Sequence, residues 1–221
     1  MFTLASDVNT VNILWNTVGV TDRPYHHGAL ESALLDAAMQ VVTNEGIGAL
    51  SLRDLARTLG VSPSATYRHF PSRDHLVAAV SQRAREQLAL AMIAERDAVP
   101  ATGTKAHRSV RRFEATGRAY VTFALASPHR FEAAFVPSAV RPTRAENPNA
   151  WSVLEGAVDE MVRTGAVPMS RRHEAPLIAW AGVHGLSTIL TGSVQPAEAS
   201  VDLGHRAAID TVIAGIVRAI R

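Results

Sequence analysis

The sequence predicts an all-α fold, and three observations carry that reading. Apolar residues recur at spacings of three and four through most of the 221 residues, the strict alternation of a strand is nearly absent, and helix start and stop residues fall where the periodicity breaks. About nine helices are expected, a compact group of three at the N-terminal side followed by a larger helical domain.

Each element has its own justification. Leu30, Leu34, Ala37, Ala38, Val41 and Val42 mark one face of a first helix over 28–45, and Gly46 supplies its stop. A second helix opens at SLRD, where Ser51 is the cap and Asp54 is placed to reach back as the acidic partner of a capping box. Its buried stripe is Leu52, Leu55, Ala56 and Leu59. Gly60 suits the positive φ that ends a helix, and Ser62 with Pro63 restarts one at once. Pro71 biases Phe70 away from helical geometry, so the third helix is short, 63–69. Ser72 then caps a long fourth helix with the stripe Leu76, Val80, Ala84, Leu88 and Ala91, fading near Val99 and Pro100.

Further along, 107–126 reads as a helix, followed after Ser127 and Pro128 by the short HRFEAAF. VPSAVRPTRAENP, with three prolines, is a loop ending in an Asn147 cap with Pro148 in the first turn of the next helix. Trp151, Leu154, Val158, Met161 and Val162 form that helix's stripe, which Gly165 and Pro168 end. The last two helices are expected over 173–192 and 201–220. Three domains result: an extension over 1–22, a small domain over 23–77, and a larger one over 78–221. The extension lacks a basic n-region and a clear cleavage site, which leaves a floppy arm, a partly helical segment or an over-called start of the reading frame open.

Composition removes several function classes. A hydrophobic fraction of 47% with 19% charge is that of a globular chain, and no apolar run approaches the roughly 20 residues that span a bilayer. With no cysteine there is no disulfide framework and no thiol chemistry, which fits a reducing compartment; a cytoplasmic location is expected. Enzyme motifs are missing too. There is no G-x-S-x-G elbow, no HExxH and no phosphate loop beyond the weak Gly46-Ile47-Gly48, and the adjacent His26 and His27 point in different directions on a helix. No metal site and no cofactor are expected.

The chemistry concentrates in VSPSATYRHFPSRDHL, residues 61–76. Two short helices around a tight glycine turn make a helix-turn-helix, whose second helix suits the roughly 12 Å major groove of DNA. Ser62, Pro63, Ser64 and Ala65 are small enough for close approach at its N-terminus. Tyr67 and His69 can donate to phosphate oxygens, and Arg73 adds charge beside exposed amides. Arg57 and Arg68 are further phosphate candidates, whereas Phe70 reads as core. The net charge is only +2, and residues 21–76 hold no excess of basic groups, so any polyanion must meet a local patch.

LSLRDLARTLGVSPSATYRHFPSRDHL resembles the DNA-binding domain of the TetR/AcrR family of bacterial transcriptional regulators, over roughly residues 26–77. The resemblance implies a DNA contact from Arg53 on the second helix, with Ser51 beside it, and a phosphate clamp at Arg73, where lysine is commoner. Thr66 departs from the family's usual aliphatic residue. RAYVTFALASPHRFEAAF and AWAGVHGLSTILTG look like the ligand domain of the subgroup named for a Trp-His-Gly signature, here Trp180, His184 and Gly185. The family implies a repressor acting as a homodimer through its last two helices, bound to a double-stranded DNA operator and released by a small-molecule effector. Gly182 and Gly185 independently allow close helix approach. Met92, Tyr120, Phe123, Met161, Trp180 and His184 are the candidate lining of a hydrophobic effector pocket, with His184 supplying one directional hydrogen bond. Core packing accounts for the same six residues. Lys105, Arg108, Arg111, Arg112 and Arg118 read as a solvated helix face rather than a second anion site. An all-α small-molecule binding protein without DNA binding is the alternative reading.

Overall fold

The computed structural model describes residues 27–137, 140, 148–192 and 205–221. The expected extension over 1–22, His26 and the Asn147 cap lie outside the described residues. Nine α-helices and two short 3₁₀ turns make up the described elements, without strands. In order, the helices are α1 His27–Glu45, α2 Leu52–Thr58, α3 Pro63–His69, α4 Arg73–Asp97, α5 Lys105–Ala126, α6 Pro128–Ala134, α7 Ala150–Arg163, α8 Ala175–Leu190 and α9 His205–Ile220.

The caps explain most of these boundaries. Ser51, Ser62 and Ser72 each accept the backbone N–H three residues on, from Asp54, Ala65 and His75. Gly46 and Gly60 take φ of +82° and +65°, which an L side chain rarely adopts. Asp54 does not close a capping box; its carboxylate pairs with Arg57 at 2.8 Å, one turn along the same helix. A reciprocal box does form at α7, between Asn149 and Ser152, so Asn149 is the residue that caps this helix.

Two apolar cores share α4. The first gathers Leu34, Val42, Leu55 and Phe70 from α1 to α3 with Leu76, Val80 and Ala84 of α4, and it also takes Ala133 and Ala134 from α6. The second begins on α4 at Leu88 and is built from α5, α7, α8 and α9, with Phe131 from α6. The changeover therefore lies between Ala84 and Leu88, inside an unbroken helix. Arg85 stands in that interval and donates to the Ala134 carbonyl at 3.0 Å, tying α4 to the end of α6. Burial lowers the pKa of this guanidinium from its ordinary value.

Within the basic run on α5, Lys105 and Arg118 are exposed as a solvated face requires, but Arg111 and Arg112 are half-buried and engaged. Arg111 donates to the carbonyls of Pro100 and Thr102, while Arg112 reaches Asp97 at 3.0 Å and Glu160 at 3.4 Å. These arginines hold the α4–α5 turn and join it to α7.

Candidate nucleic-acid interface and effector cavity

The start of α3 is open. Ser62, Pro63 and Ser64 are exposed and Ala65 half-buried, with the Ser62 and Ser64 hydroxyls 3.0 Å apart. Arg53 on α2 is exposed, beside half-buried Ser51, whose hydroxyl is occupied as the cap. On α3, Arg68 is exposed and Tyr67 is 42% exposed, a large ring left in solvent by a short helix. Thr66 is fully buried, and its hydroxyl donates to the Pro63 carbonyl at 2.7 Å, which satisfies the polar group within its own turn. Phe70 is buried in the first core, as its apolar ring demands.

His69 and Arg73 are arranged differently from Tyr67. The His69 side chain is only 12% exposed, with Nδ1 3.9 Å from a Glu31 carboxylate oxygen on α1. Arg73 sends Nε to the Leu50 carbonyl at 3.1 Å, and Nη2 to the carbonyls of Ile47 at 2.9 Å and Gly48 at 3.4 Å. Although Arg73 is exposed, its Nε and Nη2 are thus engaged by the turn between α1 and α2.

In the larger domain a cavity of about 20 Å³ lies among α4, α5, α7, α8 and α9. Met92, Tyr120 and Trp180 line it, and no charged side chain does. The other three expected residues are elsewhere. Met161 is fully buried in the surrounding core, and Phe123 lines an outer groove of about 910 Å³ beside Arg118, Arg206 and Ile209. His184 is absent from the cavity wall; its Nδ1 shares a 2.8 Å hydrogen bond with the Tyr120 hydroxyl.

Sequence reasoning passed over the aromatic cluster that holds this pair. Phe131 and Phe135, four apart on α6 and just past its end, bring their rings 5.6 and 4.8 Å from that of His184, which stacks on Trp180 at 5.8 Å. The i, i+4 aromatic spacing in HRFEAAF was the available signal. Burial pushes the Tyr120 hydroxyl far above the ordinary phenol pKa and holds the His184 imidazole below the ordinary histidine value. The pair is therefore neutral near pH 7.

Residues 34–80 match the profile described as bacterial regulatory proteins, tetR family, and residues 113–212 match a tetracyclin repressor-like C-terminal domain. The regulator BetI of Rhizobium meliloti (strain 1021) is 40% identical over 47 residues, a match spanning 21% of this chain and 23% of that protein. A protein of unknown function from Rhodococcus sp. RHA1 superposes with a TM-score of 0.61 at 29% identity, covering 88% of this chain and 98% of that one. TetR from Acinetobacter baumannii AYE has the same fold, with a TM-score of 0.53 at 21% identity over 86% of this chain and 97% of its own. Two family profiles on the two halves of the fold, with an open helix-turn-helix at the matched N-terminal segment, place this chain in the TetR family of bacterial regulatory proteins.

Proposed function

We propose that the protein is a ligand-responsive transcriptional regulator, a cytoplasmic repressor that leaves a palindromic DNA operator when a small hydrophobic effector occupies its larger domain. The observation that carries this reading is the open start of α3, capped by Ser62 and free of bulky side chains, with exposed Arg53, Tyr67 and Arg68 nearby. Residues 23–77 act as the reading head, whose core continues along α4 to Ala84 and takes in Ala133 and Ala134, and the remainder of 78–221 acts as the effector and dimerisation body. Ser64 and Ala65 approach base edges, Arg53 reads a base, and Tyr67 and Arg68 contact phosphate. His69, largely enclosed beside Glu31, contributes at most its exposed edge.

Dimerisation through α8 and α9 is supported by an unpartnered stripe on α8. Leu177, Ala181, Gly185 and Ile189 recur every four residues, Leu177 being 64% and Ile189 47% exposed, and a Cβ added at Gly185 would meet nothing within 4 Å. A second copy would place two α3 helices about one helical turn, roughly 34 Å, apart on DNA.

The apolar, uncharged cavity wall supports a hydrophobic effector. A void of about 20 Å³ holds little more than one water, so an effector must part the helices to enter, and that displacement is what α4 would carry to the head. Trp180, His184 and Gly185 are consistent with the Trp-His-Gly subgroup. A mobility-shift assay with the region upstream of the protein's own gene tests the reading: a discrete complex supports it, and no complex above non-specific binding refutes it. Melting-temperature shifts across a set of hydrophobic compounds, repeated with His184→Phe, then decide whether the histidine meets the effector.

A further inference from the structure

We propose that Arg73 is a positioning residue for DNA reading, a clasp that locks the start of α4 to the turn between α1 and α2, and not a phosphate clamp. This rests on the DNA-binding reading above for its consequence, but the clasp itself is a statement about the protein alone.

The turn Gly46–Leu50 leaves main-chain carbonyls without ladder partners, because α1 ends at Glu45 and only a 3₁₀ turn over Ile47–Ala49 follows. The Leu50 N–H reaches Ile47 at a long 3.4 Å. Into this cluster Arg73 brings a planar fork, Nε to Leu50 and Nη2 to Ile47 and Gly48. A guanidinium can span carbonyls on successive residues in that way, whereas an ammonium is a point charge on a flexible stem. Phosphate, by contrast, accepts either cation.

The position gives the clasp its consequence. Arg73 is the first residue of α4, immediately after the Ser72 cap, and α2 begins two residues past Leu50. One side chain thus fixes the entry of the long helix against the entry of the first helix of the reading unit. The turn is also abutted by α6, since a Cβ on Gly46 would lie 3.7 Å from the His129 ring. Both α4 and α6 extend toward the aromatic cluster and cavity of the larger domain. Releasing the clasp lets the reading unit tilt relative to α4, and the apparent affinity for DNA falls with the fraction of heads correctly placed.

The test compares Arg73→Lys and Arg73→Gln with the parent, in the full-length chain, on a duplex that the parent has selected from a random-sequence pool. A clasp predicts that both variants lose about tenfold in affinity while the slope of log affinity against log salt stays that of the parent. It also predicts faster amide hydrogen exchange over residues 46–55 in both variants, with exchange in α7 and α8 unchanged. A phosphate clamp predicts that Arg73→Lys binds as the parent does and that Arg73→Gln alone flattens the slope, by about one per contact; that result overturns the proposal. A loss of affinity that disappears after correction for the folded fraction also overturns it, since the residue is then merely stabilising. The exchange arm needs no DNA. If the parent selects no duplex, the functional reading fails, while unchanged exchange over 46–55 refutes the clasp independently.

Discussion

The side chains of the site divide by whether their polar atoms are already used. Tyr67 is exposed, so Tyr67→Phe is expected to weaken binding to every operator by about 1 kcal/mol per head, without altering sequence preference. Affinity measured across a salt series on two unrelated operators checks this, and an unchanged variant removes the phenol from the interface. Tyr120 and His184 are in the opposite condition, each occupying the other at 2.8 Å inside an aromatic box. Burial lowers the His184 pKa below its unfolded value, so the unfolded chain takes up the proton first. The stability that the neutral ring supplies is fully present above about pH 6.5 and is lost as pH falls through that value toward the folded one. Melting temperature is therefore expected to fall less steeply on acidification in His184→Phe than in the parent; parallel curves would show that the ring is not held neutral. The small, open start of α3 and its capping serine were legible because such residues follow from local chain chemistry, whereas the enclosure of His69 beside Glu31 of α1 depends on tertiary packing. The occupation of Arg73 was not, since its acceptors are backbone carbonyls 23 to 26 residues away that carry no sequence signature.

At the scale of elements, helices were legible wherever a cap and a periodic stripe coincided. The third helix runs over 63–69 as Pro63 and Pro71 require, and the structure begins and ends it there. The capping serine and glycine positions around it hold for the same reason. What escaped was tertiary: Asp54 chose Arg57 over the box, and the α5 arginines found carbonyls and carboxylates on other elements instead of solvent. The α8–α9 contact shows the same limit. Gly182 and Gly185 look equivalent in sequence, yet a Cβ at Gly182 would lie 2.6 Å from Ile216 Cδ1 and 2.9 Å from Cγ1, while Gly185 faces open space. Gly182→Ala gains up to about 1 kcal/mol of helix propensity. The overlap with buried Ile216 costs about 1–3 kcal/mol, so a net loss of stability is expected. In a double-mutant cycle with Ile216→Ala, which removes both clashing atoms, the double variant should be destabilised by less than the sum of the two single changes, and strict additivity would contradict the contact.

Over the whole molecule, the unbroken α4 passes from one core to the other, and α6 contributes to the first core while its aromatic residues join the cluster of the second domain. No helix among the described residues is long and apolar enough to cross a membrane. Assembly is where the two glycines separate in effect. Ile216 lines the cavity and is buried, so a charge there would test folding and not assembly, whereas Gly185→Glu places charge on the open α8 stripe. The glutamate variant is expected to sediment as a folded monomer; an intact dimer would move the interface away from α8. A dimer that reads DNA through α3 is expected to select a preferred duplex from a random-sequence pool, and selection by the parent chain measures this. The prediction is enrichment of a palindrome with half-sites about one helical turn apart, bound by one dimer and weakened by about 1–3 kcal/mol, with altered preference, in Arg53→Ala. A pool that stays random after repeated rounds, or an enriched site that Arg53→Ala and Tyr67→Ala bind as the parent does, would contradict it.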